Sequence, residues 1–181
     1  IISDSNYNRL YHFRNTGIYN VGNNLSFGVT SVFDETLIKA SDFKDTTKLK
    51  IGLYHGMVQS TNNNQNIPNG NYKFTQHNFD GYDIVMLGDI HKYQHISKTI
   101  AYCGSLLQLN HGEDITSHGG CLEWDLNHIT SKFHFIPNEY GYITIEYINK
   151  QFKIPDIIPS KARVRLNIID DNESTDQSTL N

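Results

Sequence analysis

The sequence predicts a β-rich α/β domain, and three observations support this fold class. Apolar and aromatic residues occur in short runs separated by Gly, Asn and Asp, a pattern typical of many strands and few helices. The runs at 50–54 and 84–87 are continuously apolar, as expected of strands that are buried on both faces. With 181 residues, 38% of them hydrophobic, the chain is long enough to bury a real core.

The apolar runs give the predicted elements in order. A short helix is expected within 34–48, a long surface loop in the Asn- and Gly-rich segment 59–76, and a frayed acidic tail over 170–181. Tight turns at Asn127-His128 and Asn149-Lys150 predict an antiparallel meander in the second half. The predicted strands are 25–32, 49–54, 83–87, 99–103, 120–126, 132–136, 142–148 and 163–168.

Composition excludes several classes of protein. The net charge of −4 gives no overall electrostatic footprint for nucleic acid, so DNA binding must be argued locally. No apolar run is long enough to span a bilayer, and no secretory signal is visible, which predicts a soluble, non-secreted protein. Cys103 and Cys121 form no CxxC pair and are expected to be reduced, partly buried thiols. A GxSxG motif is absent, which argues against a serine hydrolase.

Two buried strands end in polar turns that contain histidine. The first strand delivers His55, followed by a glycine, and the second is followed by Asp89 and His91. Ligands gather outside the carboxyl ends of strands in α/β sheets, and alternate residues of an extended turn share a face. Oxygen and nitrogen donors without thiolate suit a divalent ion such as manganese. The alternative for His55 is a histidine that simply ends its strand.

In sequence, LYHG at 53–56 and YDIVMLGDIH at 82–91 resemble the later metal motifs of the calcineurin-like metallophosphoesterases. Flanking segments narrow the resemblance to the Mre-eleven/SbcD branch of DNA-repair nucleases, especially its phage, bacterial and large-DNA-virus members. The similarity covers about 17–148 and depends on the ordered combination of motifs. The flanking segments are TGIY at 16–19, FGVTS at 27–31, YCGSL at 102–106, QLNHGE at 108–113 and LEWD at 122–125.

This resemblance implies a metallophosphoesterase-type α/β sandwich, partial and β-rich, over 1–153, and the start of a capping domain with a tail over 154–181. It implies that His55 and Asp89 bind one manganese ion and His91 a second, and that the pair of ions promotes hydrolysis of DNA phosphodiesters. It further implies an SMC-like ATPase partner of the Rad-fifty/SbcC kind and a possible homodimer. The expected location is cytoplasmic, or a viral factory or similar site of DNA repair and recombination.

The sequence departs from the family pattern in two ways. Asp89 stands where the family usually has the first histidine of GHxH, so metal preference is expected to shift, and a decayed site is the alternative. The earlier motifs of the family, DxH, GDxxD and GNH with an acid, supply the other ligands and the histidine that assists the leaving group. The one DxH of this sequence, Asp89-Ile90-His91, is followed by no GDxxD and so fails as the first motif, and GDxxD and GNH with an acid are absent. We expect them upstream of Ile1, and therefore assign no catalytic residue and expect the isolated 181 residues to be inactive.

The remaining polar candidates have structural explanations. Ser105, His111, Glu113 and His118 lie in a Gly-rich stretch, which predicts a turn and a loop that packs beside the site. Lys161, Arg163 and Arg165 could contact DNA phosphates or form a solvated strand edge. His12, His77, His95, His128 and His134 have no partner pattern and are expected on the surface or in strands.

Two other functions stay open. The chain could belong to a metallophosphoesterase that acts on nucleotides or phosphoproteins, since the metal core is common to these classes. It could also be a non-catalytic binding module of the same fold.

Overall fold

The computed structural model describes residues 12–34, 36–60, 72–116 and 118–169. The chain divides into two compact units, Ile1–Leu87 and Gly88–Asn181. Strands dominate both units, and the helical segments within the described residues are two short 3-10 turns, so the predicted β-rich character is confirmed. None of the described helices has the length and apolar character needed to cross a membrane. The predicted domain boundary near 153 stays a prediction.

The first unit is built around strands that follow the predicted apolar runs. Strand β2 pairs antiparallel with β1 and parallel with β3, and β6 lies on the other side of β3. A small parallel pair, β4 with β5, forms separately. In chain order the elements are β1 (Gly17–Val21), β2 (Leu25–Thr30), η1 (Ala40–Asp42), β3 (Leu49–His55), β4 (Val58–Gln59), β5 (Phe74–Thr75), η2 (Gln76–Phe79) and β6 (Ile84–Gly88).

Strands β3 and β6 run in the same direction. The Lys50 N–H donates to the Asp83 carboxylate at 2.8 Å, and the Asp83 N–H donates to the Lys50 carbonyl at 3.0 Å. Two residues further along each strand, Val85 packs over Gly52, where an added Cβ would lie 3.3 Å from a Val85 methyl carbon. Parallel strands bring their carboxyl ends to one edge of a sheet, where α/β folds bind ligands. This is the edge that the sequence pattern predicted.

The second unit contains three separate groups of strands. Strand β7 pairs antiparallel with β8, and β9 pairs antiparallel with β10. Strand β11 lies between β12 and β13, antiparallel to the first and parallel to the second. The elements are β7 (Gln94–Ser97), β8 (Ile100–Tyr102), β9 (Gly120–Asp125), β10 (Thr130–Phe135), β11 (Tyr140–Ile148), β12 (Gln151–Lys153) and β13 (Lys161–Ile169).

Several expectations are corrected. The predicted meander is wrong as a continuous sheet, because β9 and β10 form their own two-stranded sheet and β13 runs parallel to β11. The segment between β12 and β13, 154–160, allows this parallel return. Both cysteines are free but exposed, not partly buried, because Cys103 follows the end of β8 and Cys121 lies on the outward face of β9. The short helix expected within 34–48 is reduced to the 3-10 turn η1.

Strand prediction was accurate where apolar runs were long. All eight predicted strands are present, and none of their ends is shifted by more than two residues. Strands β1, β7 and β12 were missed because their alternating polar residues gave little apolar signal. Of the predicted loop 59–76, residues 61–71 lie outside the described residues, and β4 and β5 occupy its ends. The predicted tail 170–181 also lies outside them.

Candidate metal site

His55 is the last residue of β3, and its side chain is exposed. The preceding Tyr54 is buried and packs edge-on against Phe74, with ring centroids 5.1 Å apart. The Tyr54 hydroxyl lies over Gly56, where an added Cβ would come within 2.4 Å of it. The glycine after His55 is therefore required by packing, and it leaves the imidazole at an accessible strand end.

Asp89 follows β6 directly and adopts a φ of 91°. A positive φ is unfavourable for a residue with a Cβ atom, and such strain concentrates at functional sites. The exposed carboxylate thus stands at a sharp turn that glycine would adopt more easily. Because of this turn, the Asp89 side chain leaves the backbone in a different direction from that of a residue in extended conformation.

His91 is held by a carboxylate that lies 22 residues further along the chain. Its Nδ1 lies 2.9 Å from Oε1 of Glu113, whose side chain is only 9% exposed, whereas the His91 side chain is 48% exposed. A carboxylate can only accept here, so Nδ1 carries the proton and the lone pair belongs to Nε2. This is the arrangement that orients a metal-binding histidine through its second nitrogen.

Glu113 is itself fixed by further hydrogen bonds. The Leu109 N–H donates to its Oε2 at 2.6 Å, and the Asn110 side-chain amide donates to its Oε1 at 3.1 Å. Burial acts to raise the pKa of Glu113, but the hydrogen bonds from Leu109 and His91 outweigh it and hold the pKa below its usual range. The carboxylate form that accepts from His91 is therefore favoured.

The loop that carries Glu113 is tied to the His91 turn. The Ser105 N–H donates to the His91 carbonyl at 2.9 Å, and Gly104 has a φ of +78°. An added Cβ on Gly104 would lie 2.9 Å from the Tyr93 backbone nitrogen. The positive φ of Gly104 redirects the chain after β8, and the Ser105 hydrogen bond holds the loop beside His91.

The described residues do not complete a metal site. Among them, no group of three or more His, Cys, Asp and Glu side chains is arranged to hold a metal ion. The structure joins His91 to Glu113, and it does not assemble His55, Asp89 and His91 into one such group. The donor types suit a hard or borderline divalent ion, but the described residues bring together too few donors to hold one.

Sequence reasoning placed Glu113 in a loop beside the site and missed its role in holding His91. The sequence feature that could have pointed to this role is the polar turn before Glu113, at 110–112. In the structure, the Gly112 N–H donates to the Asn110 side-chain oxygen at 2.8 Å. His118 is buried, and its Nδ1 lies 2.7 Å from the Asp114 carbonyl, which fits a structural role. The other five histidines lie on the surface or in strands, as predicted: His12, His77, His95, His128 and His134.

Comparison with known proteins gives one relative of similar sequence. The chain is similar to a protein of Acanthamoeba polyphaga mimivirus named "Uncharacterized protein R555", with 37% identity over 182 residues. The match covers 95% of this chain but spans only 13% of the length of the mimivirus protein. No family model matches the chain.

Proposed function

We propose that this chain is the later part of a manganese-dependent DNA nuclease of the Mre-eleven/SbcD type, within the calcineurin-like metallophosphoesterases. In this proposal His55, Asp89 and His91 are metal ligands at the ends of two buried strands. The sandwich architecture of that family, and the start of a capping domain after about Ile154, are part of the same proposal. The SMC-like ATPase partner and the homodimer also belong to it.

The observation that carries the proposal is the pair formed by His91 and Glu113. A nearly buried carboxylate accepts from Nδ1 at 2.9 Å and directs Nε2 of an exposed imidazole outwards. The Glu113 carboxylate is also held by the Leu109 N–H and the Asn110 side-chain amide, so it fixes the His91 ring firmly. The strained φ of 91° at Asp89, two residues earlier, adds support from the same turn.

In this proposal, Glu113 and the loop around it position the His91 side chain. Glu113 fixes the ring and tautomer of His91, and donors from Leu109 and Asn110 keep the Glu113 carboxylate in place. A pair of divalent ions, when bound, would supply an activated nucleophile and neutralise charge on the phosphate. Two metal ions need more donor groups than His55, Asp89 and His91 provide. The proposal therefore requires further donors from the sequence upstream of Ile1.

The test uses a longer polypeptide that includes the sequence encoded before Ile1. Linear duplex DNA and a small aromatic phosphodiester are offered with manganese, and product release is measured. We expect cleavage of DNA, a loss of at least about a hundredfold for His91→Ala, and about ten- to a hundredfold for Glu113→Ala, as for groups that hold a metal ligand.

His128→Ala is the matched control, because His128 also pairs with a carboxylate, Asp125, at 2.7 Å on the exposed surface. It should leave cleavage unchanged. Equal activity of the His91→Ala and wild-type proteins would rule out the assigned ligand. Hydrolysis of the small diester without cleavage of DNA would instead favour a phosphoesterase for nucleotides or phosphoproteins.

A non-catalytic module of the same fold is the second candidate, and one observation favours it. The described residues contain no group of three metal-binding side chains. If the upstream sequence lacks the DxH, GDxxD and GNH motifs, this function replaces the nuclease. Reading that sequence is the simplest way to separate the two.

A further inference from the structure

Strand β13 lies at one edge of the sheet that also contains β11 and β12. In the described part of the chain it pairs with β11 and with no other strand. It is nine residues long and mostly exposed, whereas edge strands of natural proteins are usually kept short. A long strand edge of this kind is a template for pairing with a further strand.

The backbone groups of β13 point alternately towards β11 and away from it. The Lys161 N–H donates to the Glu139 carbonyl at 2.7 Å, so the odd-numbered residues of β13 bond to β11. The even-numbered residues direct their N–H and C=O groups outwards, and the Ala162 N–H accordingly donates to the Pro159 carbonyl at 3.1 Å. Three further outward N–H groups have no backbone acceptor among the described residues, those of Val164, Leu166 and Ile168.

The two faces of β13 differ in chemistry. The side chains of Val164, Leu166 and Ile168 share one face and are 53%, 44% and 62% exposed. Arg163 and Arg165 are exposed on the other face. Residues directly opposite one another on paired strands share a face and interact. The strand that suits this edge therefore alternates apolar residues with acidic ones.

The two arginines are held in place by neutral groups on β11. The Arg163 guanidinium lies 5.5 Å from the centre of the Tyr142 ring and donates to its hydroxyl at 3.1 Å. Arg165 donates through two nitrogens to the Thr144 hydroxyl, at 2.9 and 3.2 Å. No carboxylate of the described residues forms an ion pair with either arginine. Both charges are therefore fixed along the strand and stay available to carboxylates of a partner.

We propose that the outer edge of β13 binds an extended, acidic segment of a partner protein, which adds a strand to this sheet. In this mode of recognition main-chain hydrogen bonds supply affinity, and alternate side chains supply specificity. Carboxylates of the segment lie opposite Arg163 and Arg165, and its apolar residues extend the face of Val164 and Leu166. A second copy of β13 is a poorer occupant, because like charges opposite one another on paired strands are destabilising. The inference does not depend on the proposed nuclease function.

The first test measures binding of a fluorescent, blocked peptide, in which Glu alternates with Val, to the full chain by anisotropy. We expect a peptide with Lys in place of Glu to bind about tenfold more weakly, since two opposite-charge pairs become like-charge pairs. Arg163→Glu combined with Arg165→Glu should reverse this preference. Equal binding of the two peptides by the wild-type chain would overturn the proposal.

Leu166→Pro tests the contribution of the backbone. Proline lacks an N–H, and it is tolerated on edge strands where that N–H faces outwards. We expect this variant to bind the Glu peptide about tenfold more weakly, because an acceptor of the peptide loses its donor. Leu166→Ala is the matched control; it keeps the N–H and should change binding by no more than about twofold. Circular dichroism should show both variants to be folded, and equal binding by Leu166→Pro and the wild type would show attraction by charge alone and refute the added strand.

Amide hydrogen exchange, followed by NMR, detects the added strand directly. In the free chain the amides of Val164, Leu166 and Ile168 should exchange fast, and saturation with the Glu peptide should slow them. The Arg165 amide faces β11 and should be slow in both states. Slow exchange of the three outward amides in the free chain would show that the edge is already covered, and the proposal would be wrong. It would also be wrong if single-stranded DNA displaced the peptide and bound Leu166→Pro as tightly as the wild type, since the arginines would then serve nucleic acid.

Discussion

Asp89 combines a charged side chain with a backbone conformation that suits glycine. Its φ of 91° carries a cost on the order of 1–3 kcal/mol, which other contacts must offset. A turn without a function for the carboxylate would be more stable with glycine at this position. Aspartate is among the residues that adopt a positive φ most readily, so this turn can accommodate Asp89 in place of the histidine that the family pattern has there.

Gly28 provides the sharpest test of packing in the first unit. An added Cβ would lie 2.1 Å from the Tyr82 hydroxyl oxygen and 3.0 Å from the Phe43 ring. The Tyr82 hydroxyl cannot move freely, because it donates to the Ile38 carbonyl at 2.7 Å and the residue is buried. We expect Gly28→Ala to lower the free energy of unfolding by about 1–3 kcal/mol in urea denaturation.

Gly17→Ala is the matched control, since Gly17 is also in a strand and an added Cβ would meet only Tyr19 atoms at 3.5 Å or more. Its effect should stay within about 0.5 kcal/mol. Because Tyr82→Phe removes the clashing oxygen, Gly28→Ala should cost less in that background. The same cost in both backgrounds would disprove the proposed clash.

The β9–β10 hairpin illustrates how a turn is stabilised by local charge. His128 bonds to the Asp125 carboxylate at 2.7 Å, and the backbone N–H groups of Asn127 and His128 also donate to it. These bonds, with that of the His128 side chain the largest, lower the pKa of Asp125. The carboxylate is thereby favoured in the folded hairpin.

The sign of the pH dependence follows from this lowered pKa. The contribution of Asp125 to the stability of the fold is complete above the ordinary pKa of an aspartate, about 3.9. It is lost as the pH falls through the lower pKa that Asp125 has in the folded protein. We expect NMR titration of the Asp125 carboxyl carbon to give a higher pKa in His128→Ala than in the wild type. His134→Ala, on the same hairpin but bonded to Glu123, should not shift it. An unchanged pKa in His128→Ala would contradict the assignment.

The tight turn between β11 and β12 was predictable from its residues. Asn149 and Lys150 both have positive φ, at 51° and 65°, as two-residue hairpin turns with the favoured twist require. The parallel pairing of β13 with β11 was not predictable in the same way. It depends on contacts between residues 21 positions apart in sequence, such as Arg165 with Thr144, and no local pattern specifies them.

Across the whole molecule, the described residues provide fewer metal donors than the proposed activity needs. We therefore expect the isolated 181 residues to bind manganese weakly, if at all, and to show no cleavage of DNA. Isothermal titration calorimetry with manganese and a gel assay on linear duplex DNA test this. Efficient manganese-dependent cleavage by the isolated chain would show that the missing ligands are not required.

The sequence by itself determined the β-rich character, the buried strands that end near His55 and Asp89, and the turns that need glycine or asparagine. These features depend on local periodicity and on the conformations that single residues allow. Only the tertiary structure decided that Glu113 holds His91, that β13 returns parallel to β11, and that Arg163 lies beside Tyr142 and Arg165 beside Thr144. Each of these joins residues about twenty positions apart, and the packing of the whole unit selects such contacts.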